Sequence, residues 1–269
     1  EQQIDWDRYT CTDELRYALR SIRRYAPWVR QIFLLTNCSP PDWLDKSYSG
    51  ITVVQHEAVF PDPETCLPTF NSHAIEACLH RLPGLAEHFV YFNDDVFLNR
   101  RADKSQFFLG NGCSVSYLEP YGMVRPNAAS ESEDYLVAAE NGQQLIRSRY
   151  EITPTRLHKH VPMALRVSVL QEMEAFWGDA FRTVRRMRFR SPQDISVPSF
   201  LYHHYGIKNR CAVEGEAESV LVRGSTWPRK FARINGPDAP LFFCINDGGN
   251  SSGNTRFQEA KRAFLEQRF

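Results

Sequence analysis

The apolar run Phe89-Val90-Tyr91-Phe92 stops abruptly at Asn93, and two adjacent carboxylates follow, Asp94 and Asp95. Four consecutive apolar residues of strand character point to a strand covered on both faces, as in an α/β protein. In open α/β sheets ligands bind beyond the carboxyl ends of the strands, so acids at that point face a bound molecule. Paired carboxylates there suit a divalent cation that holds phosphate oxygens. Asn and Asp are also common turn formers, so the same three residues are equally the turn that leaves the strand.

The chain has 269 residues, 42% of them hydrophobic and 24% charged, enough for a substantial core in one domain or in one domain with a subdomain. Thirty-two basic residues balance thirty-two acidic ones, which argues against a dedicated nucleic-acid binder. One dense basic stretch, Arg182 to Arg190, is either a phosphate-binding surface or a solvated helix face with the loop after it. The seven cysteines, at 11, 38, 66, 78, 113, 211 and 244, show no paired spacing. They fit reduced thiols in a cytosolic protein better than a disulfide framework or a zinc site. No apolar run has the length of a membrane span, and no signal peptide is expected.

Hydrophobic periodicity predicts a helix over 12–25 closed by Pro27, short strands at 32–35 and 51–54, and a helix over 72–82 with Ser72 as its cap. The strand entering Asn93 follows. Further expectations are a strand within 113–118, a polar helix within 128–150, an amphipathic helix over 161–176 and an apolar segment at 197–205. A last strand at 241–245 and a closing helix at 256–269 complete the pattern. The alternation predicts an α/β fold: a Rossmann-like (GT-A-like), mostly parallel sheet flanked by helices, with residues 119–152 as a helical insertion or lid.

Leu241 to Ile245 also ends in an amide and an acid, Asn246-Asp247. Two such endings in one sheet would bring Asp94, Asp95 and Asp247 around one hard cation. His158 and His160 precede the expected helix at 161, where an imidazole could act as general base; a surface histidine pair has the same pattern. Zinc is disfavoured because no third and fourth ligand accompany the pair. Arg190, followed by Ser191-Pro192-Gln193-Asp194, fits a guanidinium held by Asp194 that clamps a phosphate, or a plain surface ion pair. The segment Leu67 to His73 leads into a helix start able to receive an anion or a sugar, or simply caps that helix. His203-His204 is assigned to packing or to the surface.

Together these segments resemble the Stealth family of sugar-phosphate transferases. That family includes bacterial capsule and exopolysaccharide phosphotransferases and the catalytic part of the animal lysosomal-enzyme N-acetylglucosamine-1-phosphotransferase. The second signature block is matched by Asp13 to Ile22, Tyr25 to Arg30, Leu67 to Ser72, His80-Arg81 and Tyr91 to Val96. The third is matched by His160 with Pro162, Leu170 to Glu172 and Arg190 to Pro198, and the fourth by Phe243 to Asp247. The family's first block is not found, so the expectation is one catalytic domain over 1–269 without that block.

The resemblance implies transfer of a sugar-1-phosphate from a nucleotide-activated sugar to a glycan hydroxyl, with release of a nucleoside monophosphate, in bacterial capsule or exopolysaccharide synthesis. It implies catalytic roles for Asp94, Asp95, His160 and Arg190, and Mg²⁺ or Mn²⁺ at Asp94, Asp95 and Asp247. Asn71, Ser72, Arg81, Asn93, Asp194 and Asn246 are the implied substrate-binding residues. The expected location is the cytoplasm or the inner face of the membrane. Two alternatives remain at this point. One is a metal-dependent glycosyltransferase that forms a glycosidic bond; the other is a non-catalytic glycan- or nucleotide-binding module.

Overall fold

The computed structural model describes residues 13–45, 47–125, 134–247 and 251–269. Helix α1 (Glu14–Tyr25) buries Tyr17, Ala18, Leu19 and Ile22 on one face, ends at Ala26 and is followed by Pro27, as its period predicts. Glu14 lies in its first turn and Arg23 and Arg24 in its last, which suits the helix dipole. Strand β1 (Ile32–Thr36) pairs in parallel with β2 (Ile51–Gln55). Two short helices follow, α2 (Pro63–Cys66) and α3 (Ser72–Glu76).

The expected cap of the 72–82 helix is displaced by one residue. Asn71 is extended and its side-chain oxygen accepts from His73 N at 3.1 Å, so Asn71 caps α3. Ser72 is inside the first turn, and its hydroxyl is available to a distant partner. The expected long helix is also shorter, with α3 ending at Glu76 and a single 3₁₀ turn at Leu79–Arg81.

The apolar run at 89–92 is a strand, β3 (His88–Tyr91), but the chain does not leave the sheet region there. It turns through Asn93-Asp94-Asp95, with Val96 N donating to Asn93 O at 3.2 Å, and re-enters as β4 (Val96–Leu98). After it come β5 (Ser114–Ser116), α4 (Asp134–Tyr150), β6 (Met163–Arg166) and α5 (Val167–Arg185). The remainder is α6 (Tyr202–Lys208), β7 (Ala212–Glu214), β8 (Ser219–Val222), α7 (Trp227–Asn235), β9 (Phe242–Ile245) and α8 (Thr255–Arg268).

The architecture is mixed α/β, but one mostly parallel sheet is not what the described residues form. The strands fall into four small sheets. β1 with β2, β5 with β7 and β8 with β9 are parallel, whereas β3 with β6 and β4 with β9 are antiparallel. The helix expected over 161–176 also changes character. Met163, Ala164 and Leu165 are buried and pair with β3, and the helix begins only at Val167. A short run buried on all sides gives no periodic signal that separates strand from helix, and cross-strand pairing decides the outcome. Within the expected insertion, residues 126–133 lie outside the described residues. The part that forms α4 buries Ala138, Ala139, Gln143 and Ile146, and Gly142 brings it close to Phe200.

The core explains why the ends of β4 and β9 are rigid. Phe97 and Phe243 stack at 4.8 Å and are fully buried, packed with Phe257, Phe264 and Leu265 from α8. Such a pair adds about 0.5–1.5 kcal/mol beyond its area burial. On the other side, Leu98 and Phe242 join Phe107, Val115 and Tyr117. Asp95 and Asn246 therefore project from strands clamped between two aromatic layers.

Candidate active site

Asp95 is held by β9. Its carbonyl accepts from Ile245 N at 2.9 Å and its Oδ2 accepts from Cys244 Sγ at 3.2 Å, while the Asn246 side chain also bonds the carboxylate. Its other oxygen, Oδ1, is buried and has no hydrogen-bond partner among the described residues. Burial raises the Asp95 pKa to about 7, the Asp94 charge adds to the rise, and the Cys244 and Asn246 donors oppose it. Asp94 keeps contact with solvent, yet enough protein crowds its carboxyl that desolvation leads the causes raising its pKa. The negative charges of Glu14 and Asp247 add to it. Asn93 is exposed at the mouth of this turn.

Asp247 is drawn into an ion cluster that its motif does not reveal. Its Oδ2 accepts from Lys261 Nζ at 2.5 Å, and its Oδ1 from Ser251 Oγ at 3.2 Å and Gln258 Nε2 at 3.3 Å. Lys261 is fully buried and also bonds Glu14. A buried ammonium between two carboxylates neutralises most of their repulsion, while burial still raises the Asp247 pKa. The periodicity of α8 contains the missed signal. Lys261 shares the buried face with Phe257, Phe264 and Leu265, a position where an unpaired lysine is almost never tolerated.

A second cluster joins segments more than a hundred residues apart. Asn71 Nδ2 donates to Asp194 Oδ1 at 2.8 Å and to Phe189 O at 3.2 Å. Ser191 N donates to Asp194 Oδ2 at 3.0 Å, and Arg190 Nη2 donates to Ser72 Oγ at 2.6 Å. Asp194 is 1% exposed, and its burial raises its pKa against these donors and the charges of His73 and Arg190. Asn71, Ser72, Arg190 and Asp194 are thus brought together. Arg81 is not among them. It faces Glu174 at 3.6 Å, and Glu174 also binds His80 and Arg185 at 2.5 Å each, which holds the Glu174 carboxyl well below its ordinary range despite partial burial.

A row of polar groups connects the acid pair with the arginine cluster. Tyr91 Oη donates to Glu76 Oε1 at 3.2 Å, and Glu76 Oε2 meets His73 Nδ1 at 3.3 Å. The Tyr91 hydroxyl feels the charges of Asp94 and Asp95, and the Asp194 carboxyl feels that of His73.

The two histidines of the His-x-His pair have different surroundings. His158 is buried, accepts from Tyr117 N at 3.2 Å through Nε2, and places Nδ1 2.8 Å from Lys159 O; its ring stacks on His203 at 4.0 Å. Both nitrogens are engaged. His160 reaches solvent, and protein crowding its ring, followed by the positive charge of Arg223, lowers its pKa. Its imidazole is neutral at neutral pH and able to accept a proton. Arg223 also acts on Cys244, the donor to Asp95. It follows β8, whose last residue, Val222, pairs in parallel with Ile245, so the basic residue leaves the sheet beside Asn246 and Asp247. Its position just past an apolar strand, Val220 to Val222, is the signal that could have marked it.

For a divalent cation, Asp94 and Asp95 offer hard oxygen donors, and the unpartnered Oδ1 of Asp95 fits an additional positive charge. The Asp247 oxygens are engaged with Lys261, Ser251 and Gln258. Among the described residues no cluster of three or more His, Cys, Asp or Glu side chains forms a ready metal cage. Two carboxylates completed by phosphate oxygens are an arrangement that suits Mg²⁺.

Family models cover more than half of the chain: Stealth protein conserved region 2 over residues 8–116 and conserved region 3 over residues 159–207. The capsular polysaccharide phosphotransferase SacB of Neisseria meningitidis serogroup A is 36% identical over 270 residues, covering 97% of this chain and 49% of the relative. An exopolysaccharide phosphotransferase of Streptomyces coelicolor is 44% identical over 243 residues, covering 89% of this chain and 41% of its own. Another from the same organism is 41% identical over 276 residues, covering 100% and 45%. The chain spans less than half the length of each of these relatives. With both conserved regions matched, and their residues meeting in the Asn71–Asp194 and Ser72–Arg190 contacts, this chain belongs to the Stealth family.

Proposed function

We propose that this chain carries the catalytic site of a phosphotransferase that moves a sugar-1-phosphate from a nucleotide-activated sugar to a glycan hydroxyl. The observation that supports this most directly is the polar row from Asp95 to Arg190. Through Tyr91 and the buried Glu76 and His73 it links the carboxylates of Asp94 and Asp95 with the Arg190 contact, and a cation-bridged diphosphate calls for both kinds of charge. The relatives' names, capsular and exopolysaccharide phosphotransferases, support the reaction class. We read the small sheets as parts of one GT-A-like layer. Leu35 of β1 packs against the same core as Phe89 and Tyr91 of β3, and Ile32 against the same core as Val90 and Phe92.

In this mechanism the acceptor oxygen attacks the phosphorus bonded to the sugar. A new P–O bond forms, the bridging P–O bond breaks, and a nucleoside monophosphate leaves with the bridging oxygen. His160, kept neutral by the protein that crowds its ring and by the charge of Arg223, takes the hydroxyl proton. Arg190, steadied by Ser72, and Arg223 neutralise charge that grows on the phosphoryl oxygens. Asn71 and Asp194 fix the loop that carries Arg190. Asn93 and Asn246 border the acid pair and contact substrate there, and Arg81 supports the pocket through Glu174. Mg²⁺ or Mn²⁺, held by Asp94 and Asp95 with Asp247 nearby, would offset the diphosphate charge.

We place the reaction in bacterial cytoplasm or at the inner face of the membrane. Among the described residues no helix is long and apolar enough to cross a bilayer. The test is a released-nucleotide assay over a panel of nucleotide-sugars with the full-length protein. The proposal expects a nucleoside monophosphate and a phosphodiester product. A nucleoside diphosphate with a glycosidic bond would identify a glycosyltransferase instead, and donor binding without turnover a binding module.

A further inference from the structure

Phe70 and Phe189 are 51% and 49% exposed, yet their rings stack on each other with centroids 5.5 Å apart and planes within 12°. About half of each residue's surface is open to solvent, and both backbones are fixed. Phe70 N donates to Arg188 O at 2.8 Å, Thr69 Oγ1 donates to Met187 O at 3.2 Å, and Phe189 O accepts from Asn71 Nδ2. Two large apolar side chains would gain more by turning inward. Here the hydrogen bonds of their own segments hold them outward. The exposed Phe176 differs, because the Arg149 guanidinium covers its face at 3.4 Å.

The surroundings indicate what the pair receives. Phe70 is followed by Asn71 and Ser72, and Phe189 by Arg190, so the rings adjoin the Arg190–Ser72 contact. Arg186 and Arg188 stand exposed on the same segment, which makes the rim cationic and favours an anion-bearing ligand over an apolar protein face. The rings lie at the end of the polar row away from Asp95. An in-line displacement brings the entering hydroxyl from the side opposite the leaving nucleotide. The acceptor, not the nucleoside, belongs at that end.

We propose that Phe70 and Phe189 form a stacking subsite for a pyranose ring of the acceptor glycan, and that Arg186 and Arg188 receive a phosphodiester of a chain already extended. This rests on the phosphotransferase reading for the identity of the acceptor, but its test reads binding and not product.

The experiment uses the full-length protein, phosphomannan oligosaccharides, the same oligosaccharides after dephosphorylation, and UMP as a nucleotide probe. Phe70→Leu with Phe189→Leu keeps apolar volume and removes the ring faces. It is expected to weaken binding of both glycans by about tenfold, leave UMP binding unchanged and leave the melting temperature within the scatter of wild type. Phe→Tyr at both positions restores binding. Arg186→Gln with Arg188→Gln weakens only the phosphorylated glycan, most strongly at low salt. Loss of UMP binding with glycan binding intact would assign the rings to a nucleobase and overturn the proposal. Unchanged binding of all three probes would overturn it as well. Failure of the phosphotransferase reading would show separately, as a nucleoside diphosphate in the release assay.

Discussion

Replacing Asp95 by Asn tests the electrostatic core of the site, because it is expected to abolish turnover while making the fold more stable. The Asp95 carboxyl titrates near pH 7 in the folded chain against an ordinary 3.8. Between those values the native state holds a proton that the unfolded chain has lost, so stability falls as pH rises from 3.8 to 7 and is level above it. The full gap corresponds to about 4 kcal/mol at pH 8 and to about 1.7 kcal/mol at pH 5. Asparagine removes this cost and its oxygen still accepts from Cys244, but its NH₂ takes the buried place of Oδ1, where nothing accepts from it. Allowing about 2 kcal/mol for that loss, the same at both pH values, leaves a gain of about 2 kcal/mol at pH 8 and essentially none at pH 5. The pH 8 gain amounts to a rise of about 4–8 °C in melting temperature. The assay is thermal melting of wild type and Asp95→Asn in chelator at both pH values, then with Mg²⁺ added. Mg²⁺ is expected to raise the wild-type melting temperature and leave the variant unmoved. A gain that is the same at pH 5 and pH 8, or a variant less stable than wild type at pH 8, would refute the reasoning.

Lys261→Met leaves the buried Glu14 and the half-buried Asp247 without their shared cation and is expected to cost about 3–5 kcal/mol, read as a shifted urea midpoint at pH 7. His160→Ala is expected to lower kcat by about a hundredfold with little change in donor affinity; a defect confined to affinity would reassign the residue to binding. His158 titrates near pH 3 because it is buried, so it stays neutral while the unfolded chain protonates below about 6.5. Stability is therefore lost as pH falls from 6.5 toward 3. Imidazole ¹⁵N shifts at pH 5 should show a neutral His158 ring, and an imidazolium there would contradict the burial described.

Much of the local structure was legible in residue order. The apolar spacing of Leu15, Ala18, Leu19 and Ile22 with Pro27 beyond it marks α1, and the runs at 32–35, 51–54, 89–91 and 242–245 mark β1, β2, β3 and β9. The Asn-Asp endings at 93–95 and 246–247 mark the two loops that meet at Asp95 and Asn246. Other features were hidden for identifiable reasons. β4, β7 and β8 have only three or four residues each, too few to show a period, and they exist because neighbouring strands pair with them. Arg223 and Lys261 carry local signals, the end of an apolar strand and the buried face of a helix, but the groups they meet are set by what packs beside them.

Sequence alone determined the chemical inventory and its local punctuation: which acids end a strand, which arginine follows Phe189, which proline closes a helix. These depend on side-chain type, backbone preference and near-neighbour spacing, all of which act over a few residues. Tertiary structure decided the ionic states and the partnerships. Among the described residues it placed a buried ammonium between Glu14 and Asp247, left one oxygen of Asp95 without a hydrogen-bond partner, set Ser72 against Arg190, and divided the strands among four small sheets. The physical reason is that desolvation and charge pairing depend on distance in space, and Lys261 meets Glu14 across 247 positions of chain.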